Sequence, residues 1–182
     1  MRALSILIAI AVTIAYPSIA SAQEAGYEIP RQEHVVLQRL AGEWQFERLS
    51  VPMNDADPQR LGAGVITAEM VGDFFVVSRW SGTVYGMDYT AVQTLGYDID
   101  RKAYSGYWID SFISFCWELR GTVDEQSREL SISTRGPAPT GGSTNFRERY
   151  QFNSPDSITI IGEMQQDEKW IPLSTTRLTR KR

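Results

Sequence analysis

Hydrophobic and polar residues alternate along most of the chain after residue 42, which is the pattern of β-strands that bury one face. The clearest example has an apolar face made of Ile113, Phe115, Trp117 and Leu119. Clusters of Gly, Pro, Asn and Asp separate successive strands. The pattern predicts ten strands, at residues 43–51, 61–71, 74–83, 86–97, 103–111, 113–123, 128–135, 145–153, 157–165 and 168–179.

One segment ahead of the strands has helical spacing. Its apolar positions, which fall on one face of a helix, are Val35, Val36, Leu37 and Leu40. Pro30 suits the first turn of such a helix, and Gly42 suits the position just past its end. We therefore expect one short helix on the N-terminal side of the strands.

The predicted strands must hide one apolar face. Their short connections favour antiparallel neighbours, because a parallel pair needs a long crossover. Such a sheet can close into a barrel or split into a sandwich, and the helix is too short to cover it alone. Closure also removes exposed edges. We expect an all-β protein, a closed antiparallel barrel of about ten strands, whose bore is wider than that of a filled eight-stranded barrel.

The first 22 residues are typical of an export signal. Arg2 gives a basic start, an apolar run covers 4–15, and small residues at 20–22 form a cleavage motif. We expect cleavage after Ala22 and a periplasmic or secreted protein. The apolar run is shorter than the roughly 20 residues of a membrane span, and no later segment approaches that length.

The rest of the chain fits one domain, with a flexible lead at 23–33 and a single barrel domain at 34–182. The formal net charge of −4 argues against a nucleic-acid partner, which would need a basic surface. Cys116 is the chain's single cysteine, so no internal disulfide can form. The oligomeric state stays open.

Aromatic and charged residues on the predicted inner faces, together with the width of the barrel, indicate a cavity for a ligand. The residues expected to bind a ligand are Trp44, Phe75, Arg79, Tyr97, Tyr104, Trp108, Phe115, Trp117, Glu148 and Tyr150. The orientation of strand 103–111 stays open, because both of its faces are nearly equally apolar. Tyr104 and Trp108 point inward only if Gly106 and Asp110 do so too.

Asp110 and Glu148 are the candidate catalytic residues, because a carboxyl group buried beside aromatic rings can act as a general acid or base. Each also has a structural interpretation. Asp110 can cap the turn that follows its strand, and Glu148 can pair with an inward-facing Arg48 or Arg79.

Other chemistry is poorly supported by the sequence. The chain has one histidine, His34, and one cysteine, too few for the usual nitrogen and sulfur ligands of a metal, so no metal site and no cofactor is expected. His34 is interpreted as a surface or capping residue, and Cys116 as an inert residue or a surface thiol. Asp98 and Asp100 are better explained by a hairpin turn than by calcium. No G-x-S-x-G nucleophile motif is present.

A family resemblance is carried by a series of short motifs: His34, Leu37, Leu40, Gly42-x-Trp44, Gly72-x-Phe74, Gly82 to Gly86-Met87, Gly96-Tyr97-Asp98, Tyr104 and Trp108-Ile109-Asp110-Ser111. This set resembles the domain-of-unknown-function family DUF1579, a lipocalin-like or calycin-type barrel group. The resemblance implies that Trp44 plugs one end of the barrel under Arg177 or Arg180. It implies no settled activity. Heme-binding barrels of similar shape use a histidine on a late strand, so heme is not expected here.

Three hypotheses for function follow. The favoured one is an exported lipocalin-like barrel that binds a small, mostly apolar molecule in its interior. The first alternative is an enzyme, an isomerase or hydrolase, that uses Asp110 or Glu148. The second alternative is a structural or interaction module of the cell envelope, which would have a filled barrel.

Overall fold

The computed structural model describes residues 27–52, 57–124 and 129–182. The predicted export signal and parts of two predicted turns, at 53–56 and 125–128, lie outside the described residues. Residues 27–30 have no regular secondary structure, and residues 31–182 form one compact unit.

One helix and ten strands make up the described residues of this unit. The helix, α1, covers Gln32–Leu40. The strands are β1 (Gly42–Ser50), β2 (Arg60–Val71), β3 (Phe75–Val84), β4 (Met87–Asp98), β5 (Ala103–Asp110), β6 (Trp117–Asp124), β7 (Glu129–Pro137), β8 (Ser143–Ser154), β9 (Ser157–Gln166) and β10 (Lys169–Arg180). Each strand pairs antiparallel with the next, and β1 pairs with β10, which closes the barrel. The predicted fold class is confirmed.

The strand predicted at 113–123 is wrong in its first part, because β6 begins only at Trp117. The carboxylate of Asp110 accepts a hydrogen bond from the backbone N–H of Phe112 at 2.8 Å, which turns the chain at the end of β5. The N–H of Phe115 then donates to the carbonyl of Ile113 at 2.9 Å. Residues 111–116 therefore form a loop that continues the apolar alternation of a strand. Ser111 still bonds to Thr90 of β4, and the loop leaves the sheet after it.

One end of the barrel is closed by α1 together with Trp44 and Arg180. The guanidinium carbon of Arg180 lies 4.0 Å from the centre of the Trp44 ring, a cation–π contact. Arg180 donates to the carbonyls of Ala41 at 2.8 Å and Arg39 at 3.2 Å, and the indole N–H of Trp44 donates to Leu40 at 2.9 Å. These bonds satisfy carbonyls at the C-terminal end of α1 that have no partner within the helix.

The N-terminal end of α1 is also fixed to the barrel. His34 is fully buried, and its Nδ1 accepts a hydrogen bond from the backbone N–H of Arg31 at 2.9 Å. The prediction that His34 is a capping residue is therefore confirmed, and the alternative that it lies on the surface is wrong. The hydroxyl of Tyr104 donates to the carbonyl of Glu33 at 2.7 Å. The helix is thus held at both ends, and this end of the barrel is packed.

We expect Arg180→Met to lower the free energy of unfolding by about 2–3 kcal/mol, because it removes the hydrogen bonds that Arg180 donates to the carbonyls of Arg39 and Ala41 and its cation–π contact with Trp44. Urea unfolding followed by tryptophan fluorescence measures the change. Arg177→Met is the matched control, since Arg177 is exposed on the same strand, and it should change stability by less than about 0.5 kcal/mol. Equal effects of the two variants would contradict the assigned role of Arg180.

Candidate functional site

A partly open pocket of about 230 Å³ lies inside the barrel, at the end opposite α1. We call it the open-end pocket. Its polar and charged lining residues are Arg48, Tyr89, Gln93, Asp110, Thr134, Arg147 and Glu148. Its apolar lining residues are Trp108, Trp117, Leu119, Ile132 and Phe146. The pocket thus combines an aromatic wall with several polar groups.

Trp117 forms much of the aromatic wall. Its ring meets that of Phe146 at 87°, with 5.4 Å between ring centres, and that of Phe115 at 74° and 4.9 Å. Gly136 on β7 lets the indole lie against the sheet, because a Cβ at this position would overlap the Trp117 ring. Phe115 belongs to the 111–116 loop, so it supports Trp117 from the rim of the barrel.

Trp108 and Asp110 are two residues apart on β5 and point to the same side, into the pocket. The indole N–H of Trp108 donates to Oδ2 of Asp110 at 2.9 Å, while Oδ1 accepts from the backbone N–H of Phe112. Tyr104, on the same face, is buried, which settles the orientation of this strand. Asp110 therefore orients Trp108 and ends the strand at the same time.

Glu148 ends a chain of buried hydrogen bonds. The side-chain amide of Gln93 donates to the hydroxyl of Tyr150 at 3.0 Å, and this hydroxyl donates to Oε2 of Glu148 at 2.9 Å. The predicted pairing of Glu148 with Arg48 or Arg79 is wrong, because no ion pair to Glu148 shorter than 4.0 Å is present within the described parts of the chain. The neutral hydroxyl of Tyr150 holds this carboxylate instead.

Arg48 lies across the pocket on β1. Its Nε donates to the hydroxyl of Thr176 at 3.4 Å, and its guanidinium carbon lies 5.8 Å from the centre of the Tyr89 ring. Burial raises the pKa of Tyr89 far above its ordinary value, Arg48 opposes the shift, and the charges of Asp110 and Glu148 add to it. One guanidinium and two carboxylates therefore act on the same phenol.

The other predicted ligand-binding residues lie in three places. Trp44, Tyr97 and Tyr104 are at the closed end, where they pack around α1. Tyr150 is fully buried beneath Glu148. Phe115 lies on the rim. Trp108, Trp117 and Glu148 do line the open-end pocket, together with the catalytic candidate Asp110.

Phe75 and Arg79 face outward, so their assignment to the barrel interior is wrong. Strand β3 buries the even-numbered side chains Val76, Ser78 and Trp80, which directs the odd-numbered ones to the surface. Phe75 is 49% exposed, and its ring lies over Gly96 on the outside of the sheet. The sequence does not fix the orientation of β3, because both faces of this strand carry apolar residues.

Sequence reasoning missed several lining residues as ligand contacts, namely Tyr89, Gln93, Ile132 and Thr134. The signal that could have found the first two is the alternation Tyr89, Ala91, Gln93 and Leu95, all buried on β4. Gln93 interrupts its apolar pattern, and only its partner Tyr150 explains why an amide is tolerated there.

The described residues contain no group of three or more His, Cys, Asp and Glu side chains arranged to hold a metal ion. Cys116 is exposed on the rim, directly before Trp117. Within the described ranges, no helix has the length and apolar character needed to cross a bilayer.

The fold defines a class of protein, the lipocalin-like antiparallel barrel with a helix at one end. The chain belongs to the family described as "Protein of unknown function (DUF1579)", whose model matches residues 29–180. No curated protein matches it in sequence.

Two solved structures share the fold. Rv2717c from M. tuberculosis has a TM-score of 0.56 and 13% identity, over 84% of this chain and 99% of that one. The S-type phycobiliprotein lyase CPES from Guillardia theta has a TM-score of 0.53 and 16% identity, also over 84% and 99% of the two chains. At such identities the likeness concerns the fold alone.

We expect stability to fall at alkaline pH. Burial is the main cause that raises the pKa of Tyr89, Tyr104 and Tyr150 above the ordinary value of 10.0. The folded protein therefore favours the neutral phenols, and this contribution is complete below about pH 10 and is lost as the pH rises further.

The measurement is a pH titration of tyrosinate absorbance, run in parallel with urea unfolding at each pH. The three buried phenols should ionise only together with unfolding, so their share of the tyrosinate absorbance should appear at the pH at which the protein loses its structure. A titration in which every tyrosine ionises without loss of structure would contradict this expectation.

Proposed function

We propose that the protein binds one small molecule in the open-end pocket. The observation that supports this proposal is the pocket itself: among the described residues the barrel is packed at the α1 end, and at the opposite end aromatic and charged side chains face each other across an open space. The apolar body of the ligand would lie against Trp108, Trp117 and Phe146. Its polar end would reach Glu148 and Arg48.

A second feature supports the same proposal. The hydroxyl of Thr134 is buried at the pocket, and no described residue gives it a hydrogen-bond partner. An unpartnered buried hydroxyl is costly, and a polar group of a ligand would satisfy it.

The size of the pocket limits the ligand. A volume of about 230 Å³ is below the 300–1,000 Å³ that is typical for drug-sized molecules. The ligand is therefore small, or part of it protrudes through the mouth beside the 111–116 loop. Because polar groups make up about half of the lining residues, the ligand carries at least one polar group.

Binding is better supported than the two alternatives. Both carboxylate oxygens of Asp110 already accept hydrogen bonds from the protein, which suits an orienting residue better than an acid or base. An envelope module without a ligand would need no pocket between Trp108 and Glu148. Export remains part of the proposal, and it would appear as a mature N-terminus at Gln23 in mass spectrometry of protein from the native host.

The binding proposal is tested by filling the pocket. Thr134→Trp places an indole into it, whereas the control Ser133→Trp places the same group on the exposed face of β7. Phenylnaphthylamine, a dye that fluoresces in apolar surroundings, should bind the wild type and the control alike. Thr134→Trp should weaken binding by about tenfold or more.

Circular dichroism of both variants checks that the barrel still forms. Equal dye binding by Thr134→Trp and Ser133→Trp would place the dye elsewhere and contradict the proposal. The absence of binding to the wild type, together with native mass spectra that show no bound molecule, would do the same.

A further inference from the structure

We propose that the ligand of the open-end pocket is an organic cation, a protonated amine attached to a small aromatic or aliphatic body. This inference rests on the proposed function and adds the charge of the ligand. It is carried by the balance of charges around the pocket, by the way in which its carboxylates are held, and by the angle between its aromatic rings.

The charges that face the pocket do not cancel. Asp110 and Glu148 contribute two negative charges, and Arg48 contributes one positive charge. Arg147 also lines the pocket, but its Nε and Nη2 both bind Oε2 of Glu163 at 2.8 Å. Arg149 shares Glu163 and also pairs with Glu129, so these two arginines and two glutamates balance one another. The pocket is therefore left with an excess of one negative charge.

The two carboxylates are held by neutral groups. Asp110 accepts from the indole of Trp108 and a backbone N–H, and Glu148 accepts from the hydroxyl of Tyr150. Neither forms an ion pair within 4.0 Å among the described residues. Neutral donors stabilise the ionised form of a carboxyl group but leave its charge uncompensated. A cation entering the pocket would supply the missing counter-charge.

The aromatic wall suits the same kind of ligand. The rings of Trp117 and Phe146 meet edge to face at 87°, so their planes form a corner, and both residues line the pocket together with Trp108 and Tyr89. The face of an aromatic ring carries partial negative charge and attracts cations, with tryptophan the most effective. An aromatic corner beside two carboxylates therefore favours an ammonium group over a neutral or anionic one.

The positive charge of Arg48 opposes the binding of a cation, so a variant of Arg48 tests the inference with the opposite expected effect. Its guanidinium lies by the ring of Tyr89 and binds the hydroxyl of Thr176, so it is held against one wall. Its charge lowers the attraction that Asp110 and Glu148 exert on a cation. Removal of Arg48 should therefore strengthen the binding of a cation, while removal of Glu148 should weaken it.

The test compares three probes of nearly equal shape: benzylamine, benzyl alcohol and benzoate. At about pH 7 they are a cation, a neutral molecule and an anion. Each probe is titrated into the mature chain, and binding is measured by isothermal titration calorimetry. The ligand concentration is raised to about 10 mM, because molecules of this size bind weakly. Benzylamine should bind about tenfold more tightly than benzyl alcohol, and benzoate should bind most weakly.

Three variants test whether the preference for benzylamine arises in the open-end pocket. Glu148→Gln keeps an acceptor for Tyr150 and removes the charge, so it should lower benzylamine affinity about tenfold and lower benzyl alcohol affinity by a much smaller factor. Arg48→Gln should raise benzylamine affinity about threefold. The control Glu69→Gln removes a carboxylate from the exposed face of β2 and should change neither affinity.

The outcomes separate this inference from the proposed function. Equal binding of the three probes, or tighter binding of benzoate, would overturn the inference and leave small-molecule binding standing. An amine preference that survives Glu148→Gln would also overturn it. If no probe binds, the inference fails, and if phenylnaphthylamine fails as well, the proposed function fails with it.

Discussion

The pairing of β1 with β10 is the constraint on which the structure depends, because it turns a ten-stranded sheet into a closed tube. Every inward side chain must then share one interior with the residues of the other strands. The helix end of this interior is filled by Trp44, Tyr104 and Leu37, all of which are almost completely buried. Among the residues that the structure describes, the opposite end receives no comparable plug. The pocket is thus a consequence of closure combined with uneven filling, and its position follows from where the helix packs.

The fold could be read from the sequence because alternation, turn residues and strand number all agree. The sequence predicts less well which side chains of a strand point into the barrel. Alternation shows this only where one face of the strand is clearly more apolar than the other. In β3 both faces carry large apolar residues, and Phe75 was placed inside although its neighbours Val76 and Trp80 are the buried ones. Loop 111–116 repeats the alternation of a strand, and only the hydrogen bond from Phe112 to Asp110 reveals that the ladder has ended.

The candidate site was accessible to sequence reasoning to a limited extent. Trp108, Trp117 and Glu148 could be named because large or charged residues stand out against alternating neighbours. Gln93 and Thr134 could not, since a polar residue on an inner face looks like an error in the pattern until its surroundings are known. Strands β5 and β8 each contain a hydrogen-bond donor and a carboxylate two residues apart: Trp108 with Asp110 on β5, and Tyr150 with Glu148 on β8. Each pair fixes the rotamers that a binding site needs.

Cys116 gives the protein a practical property of its own. It is the chain's single cysteine, it is exposed, and it precedes a tryptophan that forms part of the pocket wall. A fluorophore or spin label can therefore be attached beside the mouth of the barrel without any mutation. Such a label would sense the arrival of a molecule from outside, so the natural sequence already contains the attachment point for an occupancy sensor.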